Sequence, residues 1–218
     1  MNFTGERNEG GGVKVLNLYA GVGGNRKYWR GCSVTAVESD PKIAAVYQQL
    51  NPSDAVIVGD AHEYLRENYA DFDFIWSSPP CQTHSKMAKA TRHKNRKFPN
   101  MALYEEIIFL QHFFKGGWIV ENVSPFYDPL ITPTQQIGRH CFWGNYEFEA
   151  DDVKRPANFI NLSNVKGKNM LMEWLGIHYE ENIYYAGNHC PAQVLRNCVH
   201  PDLGLEIFLA YQSKRLVA

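Results

Sequence analysis

The chain has 218 residues, of which 44% are hydrophobic and 21% charged, as is typical of a soluble globular domain with a substantial apolar core. Its 22 basic and 23 acidic residues give a net charge of −1, so no overall field draws it to nucleic acid or lipid, and any polyanion must be bound by a local patch. No apolar stretch approaches the length of a membrane span, and five scattered cysteines indicate a reducing compartment, which we expect to be the cytoplasm.

Short apolar runs alternate with helix-like segments over the first two thirds of the chain. Residues 1–12 precede them as a polar, glycine-rich stretch without the apolar centre of a secretory signal, and we expect a flexible tail there. The predicted strands are Val13–Tyr19, Val34–Val37, Val56–Val58, Phe72–Trp76 and Gly117–Val120, and the predicted helices are Pro41–Leu50, Ala61–Asn68 and Ala102–Phe114. This alternation predicts an α/β fold with a doubly wound, mostly parallel sheet and a ligand site at the carboxyl ends of its strands.

The alternation weakens after about residue 144. Residues 145–193 are rich in loops and show no clear period. We therefore expect a main α/β domain at 13–144, a small insertion at 145–193, and a segment at 194–218 that returns to the main domain through a helix-like run, Leu203–Tyr211.

Glycines and acids follow the first three predicted strands. The cluster Gly21–Gly24 permits a tight turn and the close approach of a ligand to the backbone. Glu38 ends the second strand, where a carboxylate can bind both ribose hydroxyls, and Asp60 ends the third. Each acid alone is more typical of a solvated loop, but together they favour an adenosine-containing ligand. The glycines are not followed by the Lys-Ser/Thr pair of a triphosphate loop.

Two further strand ends carry reactive groups. The prolines of Pro79–Gln82 fix the backbone beyond the fourth strand, which favours Cys81 as a nucleophile over an inert buried thiol. Glu121 follows the fifth strand, and in a parallel sheet it would face the same crevice as Cys81. A carboxyl group in a half-buried position can have its pKa raised and donate a proton.

A basic segment follows the candidate nucleophile. Residues 82–100 contain six basic side chains and no acid, namely Lys86, Lys89, Arg92, Lys94, Arg96 and Lys97. Because the segment begins at Cys81, we interpret it as a clamp on a phosphate backbone, with Gln82 and Ser85 on the same nucleic-acid side.

Two histidines and two cysteines near the C-terminus are candidate ligands of a metal ion. These are His189, Cys190, Cys198 and His200. Their spacing matches no paired zinc knuckle, so we expect no metal.

The ordered motifs Ala20–Gly24, Pro79–Gln82, Glu121–Val123 and Asn197–Pro201 resemble those of the cytosine carbon-5 DNA methyltransferase family, in a compact form like that of phage or prophage members. The resemblance covers nearly the whole chain except the middle of its C-terminal half. It implies a catalytic and cofactor-binding domain at 13–144 and a short target-recognition region at 145–193. It also implies the cofactor S-adenosylmethionine, with S-adenosylhomocysteine as product, double-stranded DNA as substrate and no membrane partner. The location implied is the cytoplasm of a bacterium or of a phage-infected host cell, where such enzymes serve in restriction-modification.

Residue roles follow from the same resemblance. It implies that Cys81 is the nucleophile, Glu121 the acid, and Arg139 a contact to the target base. The implied cofactor residues are Tyr19, Gly21, Gly23, Glu38, Asp60, Pro80, Leu103 and Asn197. The chemistry requires a thiolate to add at carbon-6 of a cytosine flipped out of the duplex, because carbon-5 is too electron-poor to accept a methyl group unaided.

Several positions depart from the family pattern. Tyr19 stands for a phenylalanine, Ser77 for a glycine and His84 for an aromatic residue, and one of two alternate arginines is replaced by Ile137. Three alternatives stay open: a cytosine methyltransferase acting on RNA, a DNA cytosine modifier using a modified sulfonium donor, and a catalytically silent nucleic-acid-binding remnant. Because the region at 145–193 is short for target recognition, a protein partner or an oligomer could supply sequence selectivity.

Overall fold

The protein is built on one twisted sheet. The computed structural model describes residues 12–86, 98–185 and 189–217. The strands are β1 (Val13–Leu18), β2 (Cys32–Glu38), β3 (Ala55–Val58), β4 (Phe74–Ser77), β5 (Gly117–Val123), β6 (Gln135–Ile137) and β7 (His140–Gly144). Their order across the sheet is β3-β2-β1-β4-β5-β7-β6. Strands β1 to β5 pair in parallel, and the β6–β7 hairpin adds antiparallel to β5. The predicted fold class is therefore confirmed.

Helices cover both faces of this sheet. They are α1 (Pro41–Leu50), α2 (Ala61–Asn68), α3 (Ala102–Phe113), α4 (Val165–Leu175), α5 (Gln193–Arg196) and α6 (Pro201–Val217), with short 3-10 turns at Tyr69–Asp71 and Phe159–Asn161. Asp40 begins α1 by accepting hydrogen bonds from the backbone N–H groups of Lys42 and Ile43, and Pro41 occupies the first turn. No helix among the described residues is long and apolar enough to cross a bilayer.

Apolar side chains fill both sides of the sheet. On one side Trp29 stacks on Phe208 of α6 with ring centroids 4.9 Å apart, and Tyr211 stacks on Phe74 of β4 at 4.7 Å. Helix α6 therefore packs on the main sheet, as the apolar run Leu203–Tyr211 predicts. The other side is a separate cluster that includes Leu65 of α2 and Leu110 of α3.

The structure corrects one boundary that bears on the site. The sequence predicts that β5 ends before Glu121, but Glu121 and Asn122 lie inside the strand. The hairpin strand β7 extends the pairing, with Glu121 opposite Phe142 and Asn122 opposite Cys141. Because β7 pairs with β5 at this position, Glu121 lies on a strand of the sheet and not on a loop.

Candidate active site

A cavity of about 130 Å³ lies at the carboxyl ends of the central strands. Parallel strands present these ends at one edge of a sheet, which is where ligands of open α/β folds bind. Eight of the residues predicted from the sequence line the cavity: Tyr19, Glu38, Pro80, Cys81, Gln82, Glu121, Arg139 and Asn197. The fold thus brings together residues from the whole length of the chain.

The glycine turn after β1 is held by Glu38. Gly21 and Gly23 have φ angles of +56° and +81°, a region that favours glycine, and a Cβ on Gly23 would lie 2.9 Å from the Tyr47 ring. The backbone N–H of Gly21 donates to Glu38 Oε2 at 3.0 Å, and that of Asp40 donates to Oε1 at 2.9 Å. The Glu38 carboxylate therefore fixes the turn and still reaches the cavity.

Cys81 lies in the turn that follows β4. The Asn122 side chain donates to the carbonyl of Pro79 at 2.8 Å, which ties this turn to β5. The backbone N–H groups of His84 and Ser85 both donate to the carbonyl of Cys81 at 3.0 Å. These bonds fix the backbone that carries the half-buried thiol. Burial raises its pKa, the charge of Glu121 raises it further, and the charge of Arg139 opposes both.

Glu121 is buried and bonded to a histidine that sequence reasoning missed. The residue is 6% exposed, and Oε1 lies 2.6 Å from Nδ1 of His140, the first residue of β7. On the other side of the imidazole, Nε of Arg139 donates to Nε2 of His140 at 3.2 Å. A second nitrogen of Arg139 donates to the carbonyl of Arg196 at 2.7 Å. Hydrogen bonds thus link the side chains of Glu121, His140 and Arg139 along one wall of the cavity.

Tyr185 is a second residue that no motif predicted. Its half-buried side chain lines the cavity beside Asn197. Burial raises the pKa of the Tyr185 hydroxyl, a hydrogen bond with Asn197 opposes this, and the charges of Glu38 and Cys81 add to it. Gln193 donates to Oδ1 of Asn197 at 2.8 Å, which holds this amide in place. Tyr185 and Asn197 therefore form a hydrogen-bonded pair in the cavity wall.

Comparison with known proteins identifies the family. The model of the C-5 cytosine-specific DNA methylase family matches residues 13–129, more than half of the chain. The chain belongs to this family. The DNA (cytosine-5)-methyltransferase PliMCI of Paracentrotus lividus is 23% identical over a match that covers 52% of this chain and 8% of that protein. The Entamoeba histolytica methyltransferase EhMeth superposes with a TM-score of 0.50 at 9% identity, covering 94% of this chain and 99% of that one, which shows likeness of fold alone.

For this C-5 cytosine-specific DNA methylase family member, four of the expected cofactor residues do not line the cavity: Gly21, Gly23, Asp60 and Leu103. Asp60 caps α2: its Oδ1 accepts from the backbone N–H groups of His62 at 2.8 Å and Glu63 at 3.0 Å. Its charge nonetheless adds to the raised pKa of Tyr19, so it lies near the cavity wall. Leu103 is 2% exposed and packs in the apolar cluster below α3. Between Asp60 and Leu103, only Asp60 therefore acts on a cavity residue, through its charge.

The buried carboxylate of Glu106 holds Tyr19 in the cavity wall. Tyr19 has a φ of +54°, unusual for a residue with a side chain. Its hydroxyl donates to Oε1 of Glu106 at 2.5 Å, and Ser77 donates to Oε2 at 2.5 Å. His62 lies 3.0 Å from the same Oε1, and this hydrogen bond raises the pKa of His62. Two departures from the family pattern, Tyr19 and Ser77, thus meet on one glutamate, a pairing that single motifs could not reveal.

The predicted nucleic-acid residues are placed only in part. Gln82 lines the cavity, Ser85 forms an isolated bridge with Pro125, and the Lys86 side chain is exposed. Five of the predicted residues lie outside the described part of the chain: Lys89, Arg92, Lys94, Arg96 and Lys97. The basic segment therefore stays a prediction from the sequence.

No group of three or more histidine, cysteine or acidic side chains among the described residues could hold a metal ion. His200 instead lies over Trp174, with Nε2 3.1 Å from the carbonyl of that residue.

Proposed function

We propose that this chain is an S-adenosylmethionine-dependent methyltransferase that modifies carbon-5 of cytosine in double-stranded DNA. The observation that carries the proposal is the placement of Cys81 and Glu121 on one cavity, at the carboxyl ends of the neighbouring strands β4 and β5. A thiol and a carboxyl group facing one space are the two groups that activation of a cytosine ring requires.

The residues at the other end of the cavity fit an adenosine-containing cofactor. Glu38 presents a carboxylate at the end of β2, where such a group binds ribose hydroxyls. The glycine turn allows close approach of the backbone, and Asn197 lines the same cavity with a side chain that can donate and accept hydrogen bonds. When bound, S-adenosylmethionine supplies an electrophilic methyl group. We assign five residues to binding it: Tyr19, Gly21, Glu38, Pro80 and Asn197. Three others support them, since Gly23 forms the glycine turn, Asp60 caps the start of α2 and Leu103 packs behind the cavity wall.

The chain's own residues then activate the base. The Cys81 thiolate forms a bond from Sγ to carbon-6 of the ring, while Glu121 gives a proton to ring nitrogen 3, so that the displaced electron pair becomes an enamine at carbon-5. Arg139 faces the same space and binds the ring oxygen through its guanidinium. After carbon-5 is methylated, its proton is lost to a base, the bond from Sγ to carbon-6 breaks as the thiolate departs, and the proton on ring nitrogen 3 returns to Glu121, which restores the aromatic ring and the acid. The base must be flipped out of the duplex to reach Cys81.

Nucleoside mass spectrometry tests the proposal. Unmethylated duplex DNA and transfer RNA are each incubated with S-adenosylmethionine and the wild-type protein, Cys81→Ala or Cys32→Ala. Cys32 begins β2, and its change is the matched control for loss of a thiol elsewhere. We expect 5-methylcytosine in the DNA with wild type and Cys32→Ala and none with Cys81→Ala. Product in RNA alone would replace the substrate, and product with Cys81→Ala would remove the covalent mechanism. Absence of product despite cofactor binding would favour a silent binding module.

A further inference from the structure

His140 lies in the cavity wall, and the motifs leave it without a role. It is 9% exposed, and its imidazole contacts Glu121 at one nitrogen and Arg139 at the other. Arg139 can only donate, so Nε2 of His140 must accept and carries no proton. The proton of a neutral imidazole is then on Nδ1, and it points to Oε1 of Glu121 at 2.6 Å. The two neighbours together therefore fix one tautomer, with Nδ1–H donating to the carboxyl group.

Glu121 has a free oxygen on its other side. No hydrogen bond to Oε2 of Glu121 is found within the described residues, and Glu121 lines the cavity that Cys81 faces. The carboxyl group is therefore oriented with one oxygen on His140 and the other available to a base in the cavity.

We infer that His140 is a positioning residue that holds Glu121 for proton transfer to the cytosine ring and stabilises the carboxylate this transfer leaves behind. The inference rests on the proposed function. The proton moves from Oε2 of Glu121 to ring nitrogen 3 as the bond from Cys81 to carbon-6 forms, and negative charge appears on the carboxylate. The Nδ1–H···Oε1 hydrogen bond becomes charge-assisted at that moment, so it is stronger in the transition state than before it.

The surroundings of His140 contain other charged and titratable groups. Beyond Glu121 and Arg139, a small cleft on its far side is lined by Asp152, Arg155, Cys198 and His200. Neither Asp152 nor His200 forms a hydrogen bond to His140 in the described structure, whereas Glu121 does so at 2.6 Å. The carboxyl group of Glu121 is thus the acidic partner to which His140 is hydrogen-bonded.

Two variants separate positioning from packing. His140→Phe keeps a flat ring but has no donor, and His140→Asn places an amide N–H near the position of Nδ1. With both variants folded, we expect kcat of His140→Phe to fall about 10- to 100-fold, as loss of a hydrogen bond to a charged group predicts, with KM for S-adenosylmethionine unchanged. We expect His140→Asn to recover most of the rate.

The pH profile gives a readout that packing would not move. A hydrogen bond to the ionised form lowers the pKa of an acid. In His140→Phe the carboxylate loses this donor, so we expect the limb on which the rate falls with rising pH to move to higher pH, and in His140→Asn to stay near the wild-type position. Equal losses in both variants with unmoved limbs would overturn the inference.

Nitrogen-15 NMR of the imidazole decides the inference even if the protein transfers no methyl group. Wild type and Cys81→Ala should both show one neutral, Nδ1-protonated histidine whose proton exchanges slowly and resonates far downfield. His140→Asn should lose that signal, and Glu121→Leu should lose its exchange protection. An Nε2-protonated or fully charged His140 would refute the assignment, whereas a correct tautomer with no product would refute only the proposed function.

Discussion

Glu121 and Cys81 face one cavity from adjacent parallel strands, and the charge of Glu121 adds to the burial that raises the pKa of the Cys81 thiol. The thiolate that the proposed reaction needs is therefore disfavoured before a base binds. Arg139 acts in the opposite direction, since its positive charge lowers the pKa of Cys81.

The pH dependence of Cys81 alkylation follows from these two charges. Only the thiolate reacts with iodoacetamide, so a raised pKa shifts the reaction to higher pH. Glu121→Gln removes a charge that raises the pKa and should move the midpoint of Cys81 alkylation to lower pH. Arg139→Leu should move it to higher pH. Peptide mass spectrometry resolves Cys81 from Cys32, which serves as an internal control whose midpoint stays constant in both variants. Midpoints of Cys81 that shift in the same direction would contradict the opposed charges.

Substitution of Glu38 should weaken cofactor binding, whereas substitution of Asp60 should lower the stability of the fold. Glu38→Gln exchanges the carboxylate for an amide and should weaken S-adenosylmethionine binding about 10- to 100-fold, as expected for hydrogen bonds to a charged acceptor. Asp60→Ala removes the cap of α2 and should cost about 1 kcal/mol of unfolding free energy, whereas Asp60→Asn keeps the cap. Calorimetric titration and urea unfolding measure the two effects. Weaker cofactor binding in Asp60→Asn at unchanged stability would isolate a direct role for its charge.

The Glu106 network should matter for stability. Glu106 is fully buried and accepts from Tyr19 and Ser77, with His62 close to the same carboxylate. Removing one donor leaves part of a buried carboxylate unsatisfied, so Tyr19→Phe and Ser77→Ala should each lower the free energy of unfolding by about 1 to 3 kcal/mol. Urea denaturation measures this. Tyr28→Phe is a matched control for loss of a more exposed phenol and should be near neutral. A stabilised Tyr19→Phe protein would contradict the network.

Much of the fold was predictable because it is local. The strands β1 to β5 and the helices α1 to α3 follow from apolar periodicity and from Pro41 at a helix start, and the parallel arrangement then places Cys81, Glu38 and Glu121 at one edge. The residues that orient these groups were not predictable, because they come from distant segments without a periodic signal. His140 reaches Glu121 only through the antiparallel hairpin, and Glu106 meets Tyr19 across 87 positions of sequence.

The basic segment after Cys81 should determine the salt dependence of DNA binding. Each phosphate contact contributes about −0.9 to the slope of log K against log salt concentration. Replacing its six basic residues by glutamine should flatten that slope, measured by fluorescence anisotropy with a labelled duplex. The replaced residues are Lys86, Lys89, Arg92, Lys94, Arg96 and Lys97. Lys14→Gln at the amino end of β1, on the opposite edge of the sheet, should leave the slope as in wild type. An unchanged slope in the six-residue variant would make the segment an ordinary solvated loop.

Tyr185 should control entry to the cavity. The space of about 130 Å³ is below the roughly 300 to 1,000 Å³ usual for ligand pockets, and the Tyr185 ring lies among Glu38, Asn197 and Cys81. We therefore expect the ring to turn aside when a cofactor enters. Tyr185→Ala should raise the association rate constant for S-adenosylmethionine several-fold in stopped-flow measurements, because no side chain has to move. Tyr185→Phe keeps the ring but loses the hydrogen bond with Asn197, so its association rate should lie between the two. The alanine variant has no ring at position 185 that must move. If association in Tyr185→Ala were no faster than in wild type, the cofactor would therefore enter past another part of the wall.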